Sequence, residues 1–249
     1  MTAEVILLAH GSPDIRAPRA THALAARVGE KLKQHVSVAF IDKAEPNLAV
    51  AVSAAVERGA DRIVVVPLFL SRAFHVRVDV PEAVADAETA TGVSIGITPP
   101  LGPDIRLLIE APPDADGYVI ATAGTSSVSA QKDFAALAQE FSAVTGAPAI
   151  AAYATQAQPT VEEAIAHLKA QGIAEPAVVS LVLFDGVLPD RIRESAGSLV
   201  CTPPLDRGTV LVDLVMERIR DCYLVKPTEN GVSCEKCSSS CNRKEIREH

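Results

Sequence analysis

The sequence predicts an α/β protein made of two similar halves, each a four-stranded parallel sheet flanked by helices and related by internal duplication. Three observations carry this reading. Short β-branched runs alternate with longer amphipathic stretches, the pattern of βαβ units. Glycines, prolines and apolar runs recur in one ungapped register of 113 residues, the mark of repetition on the scale of a domain. Finally, 48% hydrophobic and 22% charged residues can fill two packed cores without the charge excess of a disordered chain.

In the first half, apolar runs bounded by turn residues predict strands at Glu4 to Ala9, Val36 to Ile41, Arg62 to Leu68 and Ser94 to Thr98. Helical periodicity predicts Ala17 to Gln34, Leu48 to Arg58, Val80 to Thr91 and Pro103 to Ile109 between and after them. Strands near Tyr118 to Ala121, Ala149 to Tyr153, Ala177 to Leu183 and Leu199 to Thr202 repeat the scheme. The repeat is visible in Gly11 and Gly124, Pro46 and Pro159, Gly59 and Gly172, and Val65-Val66 and Val178-Val179. One register shift occurs: ITPPLG from Ile97 matches CTPPLD from Cys201 at a spacing of 104, so the second copy lacks nine residues just after the position of His75. Ala111 to Asp116 reads as a linker, giving domains 1–113 and 114–225, and a cysteine-rich tail, 226–249, follows where the periodicity fades.

A net charge of −8 argues against a nucleic-acid partner, which needs clustered Lys and Arg. No apolar run reaches the ~20 residues of a spanning helix, and the first residues lack the basic flank and apolar core of a secretory signal, so no membrane role and a cytoplasmic location are expected. Five cysteines, three of them in SCEKCSSSC, read as metal ligands rather than a disulfide framework.

Ligands of open parallel sheets bind beyond the carboxyl ends of the strands. His10 follows the first strand, Asp42 and Glu45 the second, and His75 the third, so all four belong to one rim. Their counterparts are Ala123, Thr155, Gln158 and Leu188: the ionisable set is lost as a group in the second copy. Two imidazoles with nearby carboxylates suit a divalent ion held loosely enough to be passed on, with proton transfer near neutral pH. Ser12 lies close to His10 without the glycine-flanked elbow of a serine nucleophile, and neither GxGxxG nor a Walker sequence occurs. Asp79, ahead of Pro81, reads as a helix N-cap. In the tail, Cys234, Cys237 and Cys241 form CxxCxxxC, with Cys222 as the favoured fourth ligand and Cys201 in reserve; four thiolates complete either an iron–sulfur cluster or a zinc site.

AHGSPD after the first strand, the AEPNL turn after the second and PLFLSRAFHVRVDVP after the third together resemble the class II chelatases that insert metal into sirohydrochlorin, in their two-domain form. The resemblance spans Glu4 to Leu224 and departs from the family's pattern at Ala73, where a glycine is usual. It implies two chelatase-like domains and insertion of Fe²⁺, or Co²⁺, into sirohydrochlorin, with His10 and His75 as metal ligands and proton acceptors and Asp42 or Glu45 tuning or relaying. It further implies that Ser12, Arg72 and Arg77 meet the carboxylate-rich substrate; Arg77 is the best cation, because its repeat partner is Asp190. Similarity to cluster-bearing chelatases favours [2Fe-2S] over zinc in the tail. A non-catalytic carrier of metal or tetrapyrrole is the reading of another class, and a homodimer is left open.

Overall fold

A computed structural model describes residues 3–70, 78–102 and 110–223. The first unit contains β1 (Ala3–Ala9), α1 (Arg16–Leu32), β2 (Val36–Phe40), α2 (Leu48–Glu57), β3 (Arg62–Pro67), α3 (Val80–Thr91) and β4 (Ile95–Ile97). Its four strands are parallel in the order β2-β1-β3-β4. β1 lies inside the sheet and is covered on both faces: Val5, Ile6, Leu7 and Leu8 are all wholly buried. That double burial is why it reads as a continuous apolar run rather than an alternating one. Ile6, Leu8, Ile63 and Val65 form one core with Leu48, Val52 and Ala55 of α2 and Val80, Val84 and Ala87 of α3, whereas α1 packs on β1 and β2 outside that cluster.

The second unit repeats the plan with β5 (Gly117–Thr122), α4 (Val128–Thr145), β6 (Ala149–Tyr153), α5 (Val161–Ala170), β7 (Pro176–Leu181) and α6 (Val187–Ala196). Its sheet has three strands, β6-β5-β7, all parallel. The fourth strand expected at Leu199 to Thr202 is reduced to one bridge, Val178 to Cys201. The cause is local. Val178 exchanges backbone bonds with Val200 and Thr202, but the next donor on that edge, the Ser180 N–H, is taken by the Thr202 hydroxyl oxygen at 2.9 Å, so the ladder stops there.

The deleted residues also have a structural address. Pro67 and Val80 are joined by 68–79, whereas 182–186 suffice between Leu181 and Val187, and α6 has 10 residues to the 12 of α3. Leu188, the counterpart of His75, therefore falls in the first turn of a helix.

The last described helix, α7 (Val210–Tyr223), packs from Leu211 onward with the first unit, although the sequence boundary at 114–225 assigns it to the second half. Lys31 of α1 pairs with Asp213, and Arg218 donates to the carbonyls of Pro100 and Leu101. The helix expected at Pro103 to Ile109 lies outside the described residues. No described helix is long and apolar enough to cross a membrane.

Candidate active site

Two backbone bonds fasten the carboxyl ends of β1 and β2 to each other: the Ile41 N–H donates to Ala9 O at 3.0 Å and the Asp42 N–H to His10 O at 2.9 Å. The chains approach so closely that a Cβ on Gly11 would lie 1.8 Å from Asp42 O, and Gly11 itself has φ +93°. Only glycine satisfies both conditions. His10 and Asp42 are thus held side by side by main-chain geometry.

The half-buried His10 places Nδ1 3.3 Å from Gly11 O. A carbonyl only accepts, so Nδ1 is the donor in this contact. Asp42 is exposed, and the Lys43 side chain and backbone N–H hold its carboxyl below the ordinary carboxylate range, with His10 adding a smaller pull in the same direction. Lys43 lies with its Nζ 3.2 Å from Asp42 Oδ2 and adopts a left-handed φ of 61°.

Glu45 and Ser12 occupy the same rim, and each serves a turn. Glu45 Oε2 accepts from the Asn47 N–H at 3.0 Å, and the Asn47 side chain then caps α2 by accepting from Val50 N at 3.0 Å. Ser12 Oγ accepts from the Asp14 N–H at 3.1 Å, and Asp14 in turn binds Arg16. The second unit reproduces these devices without the charges. Gln158 Oε1 accepts from Thr160 N at 3.1 Å, Thr125 Oγ1 from Ser127 N at 3.1 Å, and Gln156 takes the left-handed φ of Lys43 at 63°. Thr155, in the place of Asp42, turns its hydroxyl to Ala123 O at 2.9 Å.

Structure therefore brings His10, Asp42, Glu45 and Ser12 to one rim. His75, Arg72 and Arg77 lie outside the described residues, as do Cys234, Cys237 and Cys241; Cys222 falls in the last turn of α7. Among the described residues no three His, Cys, Asp or Glu side chains are grouped to hold a metal ion. Cys201, expected to be a buried apolar cysteine, is half-buried against the second core, and burial pushes its thiol up. Asp79 stands at the N-cap of α3, but with helical backbone angles and without a side-chain capping bond. Sequence reasoning missed the turn-forming bonds of Glu45 and Ser12; the acceptors Gln158 and Thr125 at the matching positions were the available signal.

Fold and site together define a duplicated parallel α/β protein in which one copy carries His10, Asp42 and Glu45 beyond the carboxyl ends of its strands, where the other has Ala123, Thr155 and Gln158. The chain belongs to the CbiX family, whose model matches residues 4–109 and again 117–222. It is 27% identical over 222 residues, 82% of this chain and 83% of the relative, to the sirohydrochlorin ferrochelatase of Bacillus subtilis strain 168. Over 82 residues, 32% of this chain and 65% of the relative, it is 40% identical to the sirohydrochlorin cobaltochelatase of Sulfolobus acidocaldarius. The solved structure of SirB from Bacillus subtilis with Fe3+ superposes with a TM-score of 0.75 at 21% identity, covering 90% of this chain and 96% of that one, a likeness of fold.

Proposed function

We propose that the protein is a sirohydrochlorin chelatase that inserts Fe²⁺ into its tetrapyrrole substrate. Family membership across both halves supports the general activity, and one observation carries the assignment of the site: His10 stands beside Asp42 in the first copy, where the second has Ala123 beside Thr155. Insertion replaces two pyrrolic N–H protons by one divalent ion. The site must shed water from the ion, hold it, and collect two protons. His10 is a ligand or a proton acceptor in this scheme, His75 its partner, and Asp42 or Glu45 tunes them or relays protons to solvent. Arg72 and Arg77, with Ser12, bind the substrate carboxylates.

Iron is favoured because the relative matched over 82% of this chain is named a ferrochelatase, while the cobaltochelatase match covers 32% of it. Anaerobic competition between Fe²⁺ and Co²⁺ for sirohydrochlorin tests this, and faster cobalt insertion under equal free metal would reverse the choice. Several turnovers per site would exclude the carrier reading. Cys222, Cys234, Cys237 and Cys241 supply four soft donors that suit a [2Fe-2S] cluster, with zinc as the alternative. A visible absorption band that bleaches with dithionite decides for the cluster. A cytoplasmic, reducing location belongs to the same proposal, since it keeps these thiols unpaired.

A further inference from the structure

Two acid–base pairs stand on the rim of the first unit, one on each loop that carries the candidate site. In the loop from β1 to α1, just past His10, Asp14 accepts from Arg16 Nε at 3.1 Å, from Arg16 Nη2 at 2.6 Å and from the Arg16 N–H at 3.0 Å, while its own N–H is held by Ser12 Oγ. In the loop from β2 to α2, Lys43 Nζ lies 3.2 Å from Asp42 Oδ2, next to the backbone bond that ties Asp42 to His10. Both cations reach solvent, with 45% of the Arg16 side chain and 55% of the Lys43 side chain exposed.

Neither cation serves the local backbone. Arg16 opens α1, where the positive end of the helix dipole disfavours a cation and the first turn holds no acidic residue to offset it. Lys43 takes its left-handed φ of 61° at a position where glycine or asparagine is the less strained choice. The second copy shows that the fold does without both pairs. Ser127 and Ser129 stand for Asp14 and Arg16, and Thr155 and Gln156 for Asp42 and Lys43. All four charges are gone, yet Gln156 keeps the left-handed turn and Ser127 caps its helix. Arg19, exposed farther along α1, behaves otherwise: its counterpart is Lys132, so that cation is present in both copies.

We infer that Arg16 and Lys43 form a carboxylate-binding subsite that seats the periphery of the tetrapyrrole over His10. The identity of the ligand rests on the chelatase reading. In a chain of net charge −8, a carboxylate-rich substrate needs cations placed locally. Asp14 and Asp42 hold these two at the rim, and exposed pairs are weak enough for a substrate carboxylate to take the cation over. The planar fork of Arg16 suits a carboxylate in two-point contact. When Lys43 turns to the substrate, Asp42 loses its counter-ion beside His10, so the site gains negative charge for the metal only once the macrocycle is seated.

Steady-state insertion and titration of metal-free sirohydrochlorin by its visible absorbance test this in the full chain. Arg16→Gln and Lys43→Gln should each raise Kd and KM for sirohydrochlorin about tenfold, with kcat within about twofold of wild type. Each should also flatten the rise of KM with ionic strength and leave the affinity for Co²⁺ alone no weaker than in wild type. Arg16→Lys, which keeps the charge without the fork, should fall between. Arg19→Gln removes the same charge from the same helix and should leave KM within about twofold. An unchanged KM in either Arg16→Gln or Lys43→Gln overturns the proposal. So does an equal rise in Arg19→Gln, the mark of net charge alone, and so does a loss of Co²⁺ affinity in step with KM, the mark of a disturbed His10 turn. A wild type that binds sirohydrochlorin without metallating it sinks the chelatase reading and leaves the titrations to decide the subsite; one that does not bind it sinks both.

Discussion

At the rim the two copies are nearly the same object in main chain and different objects in charge. Gly11 and Gly124 both take positive φ, and a Cβ on either would strike the carbonyl of Asp42 or Thr155, at 1.8 and 2.0 Å. Lys43 and Gln156 are both left-handed, Asn47 and Thr160 both cap the following helix, and Phe40 and Tyr153 both donate to the carbonyl of the matching proline. What the second copy lacks is ionisable. The pair Glu45 and Gln158 is the most instructive, because the same acceptor bond is made by a carboxylate in one and by a neutral amide in the other. The turn requires an acceptor oxygen, which a carboxylate or an amide supplies equally, so this bond by itself does not explain why a carboxylate stands in the first copy.

The largest effect should separate chemistry from scaffold most sharply. His10→Ala should slow single-turnover metal insertion by at least about 10²-fold, with thermal stability preserved, while Ala123→His should leave the rate unchanged. Rapid-mixing absorbance of the tetrapyrrole gives both numbers, and an unaltered rate in His10→Ala removes it from the mechanism. Next, the shared glycines should behave alike. Gly11→Ala and Gly124→Ala should each cost about 2–4 kcal/mol through positive φ and the carbonyl clash, measured by urea unfolding; a cost at one position only would break the equivalence of the two turns.

A smaller difference lies at the opposite end of the sheets. In the first unit the buried Glu4 accepts from Arg58 Nη2 at 2.5 Å and from Ser37 Oγ at 2.5 Å, whereas the second has Gly117, whose added Cβ would meet Ile173 Cγ2 at 2.8 Å. Burial alone would raise Glu4, but the bonds from Arg58 and Ser37 more than offset it and hold the carboxyl below its ordinary value. The folded protein therefore binds this proton less readily than the unfolded chain. The stabilisation is complete above the unfolded value, near pH ~4.3, and is lost as pH falls through the depressed folded value. Glu4→Gln should cost about 1–3 kcal/mol at neutral pH, and its deficit against wild type should shrink on acidification; a constant deficit from pH 7 to 3 would contradict the ion pair. The mildest test is Glu45→Gln, which copies the second unit. Stability should stay within about 0.5 kcal/mol, and turnover should fall about tenfold if the charge relays protons.

Much of this protein was legible from residue order. Strands at β1, β2, β3 and β6 and the helices α2 and α3 lie within a residue or two of expectation, because burial on both sheet faces writes unbroken apolar runs and turn residues punctuate them. His10, Asp42 and Glu45 could be assigned to one rim because a parallel sheet puts every strand's carboxyl end on the same side. The roles of Ser12 and Glu45 as turn acceptors were less legible, since a hydrogen bond two residues away leaves no periodic trace. The fourth strand of the second sheet failed for a similar reason: one hydroxyl, on Thr202, took the donor that a continued ladder needed.

Residue order by itself determined the duplication, the alternation of strand and helix, and the set of groups present in one copy and neutralised in the other. These follow from short-range periodicity and from a fixed register, both of which can be counted along the chain. Tertiary structure decided that α7 joins the first unit and that Arg218 meets carbonyls more than a hundred positions earlier. It also decided that Gly11 must yield to a carbonyl of the neighbouring strand. Contacts at such separations are chosen by which surfaces remain to be buried once the sheets have formed, and no local pattern of residues records that choice.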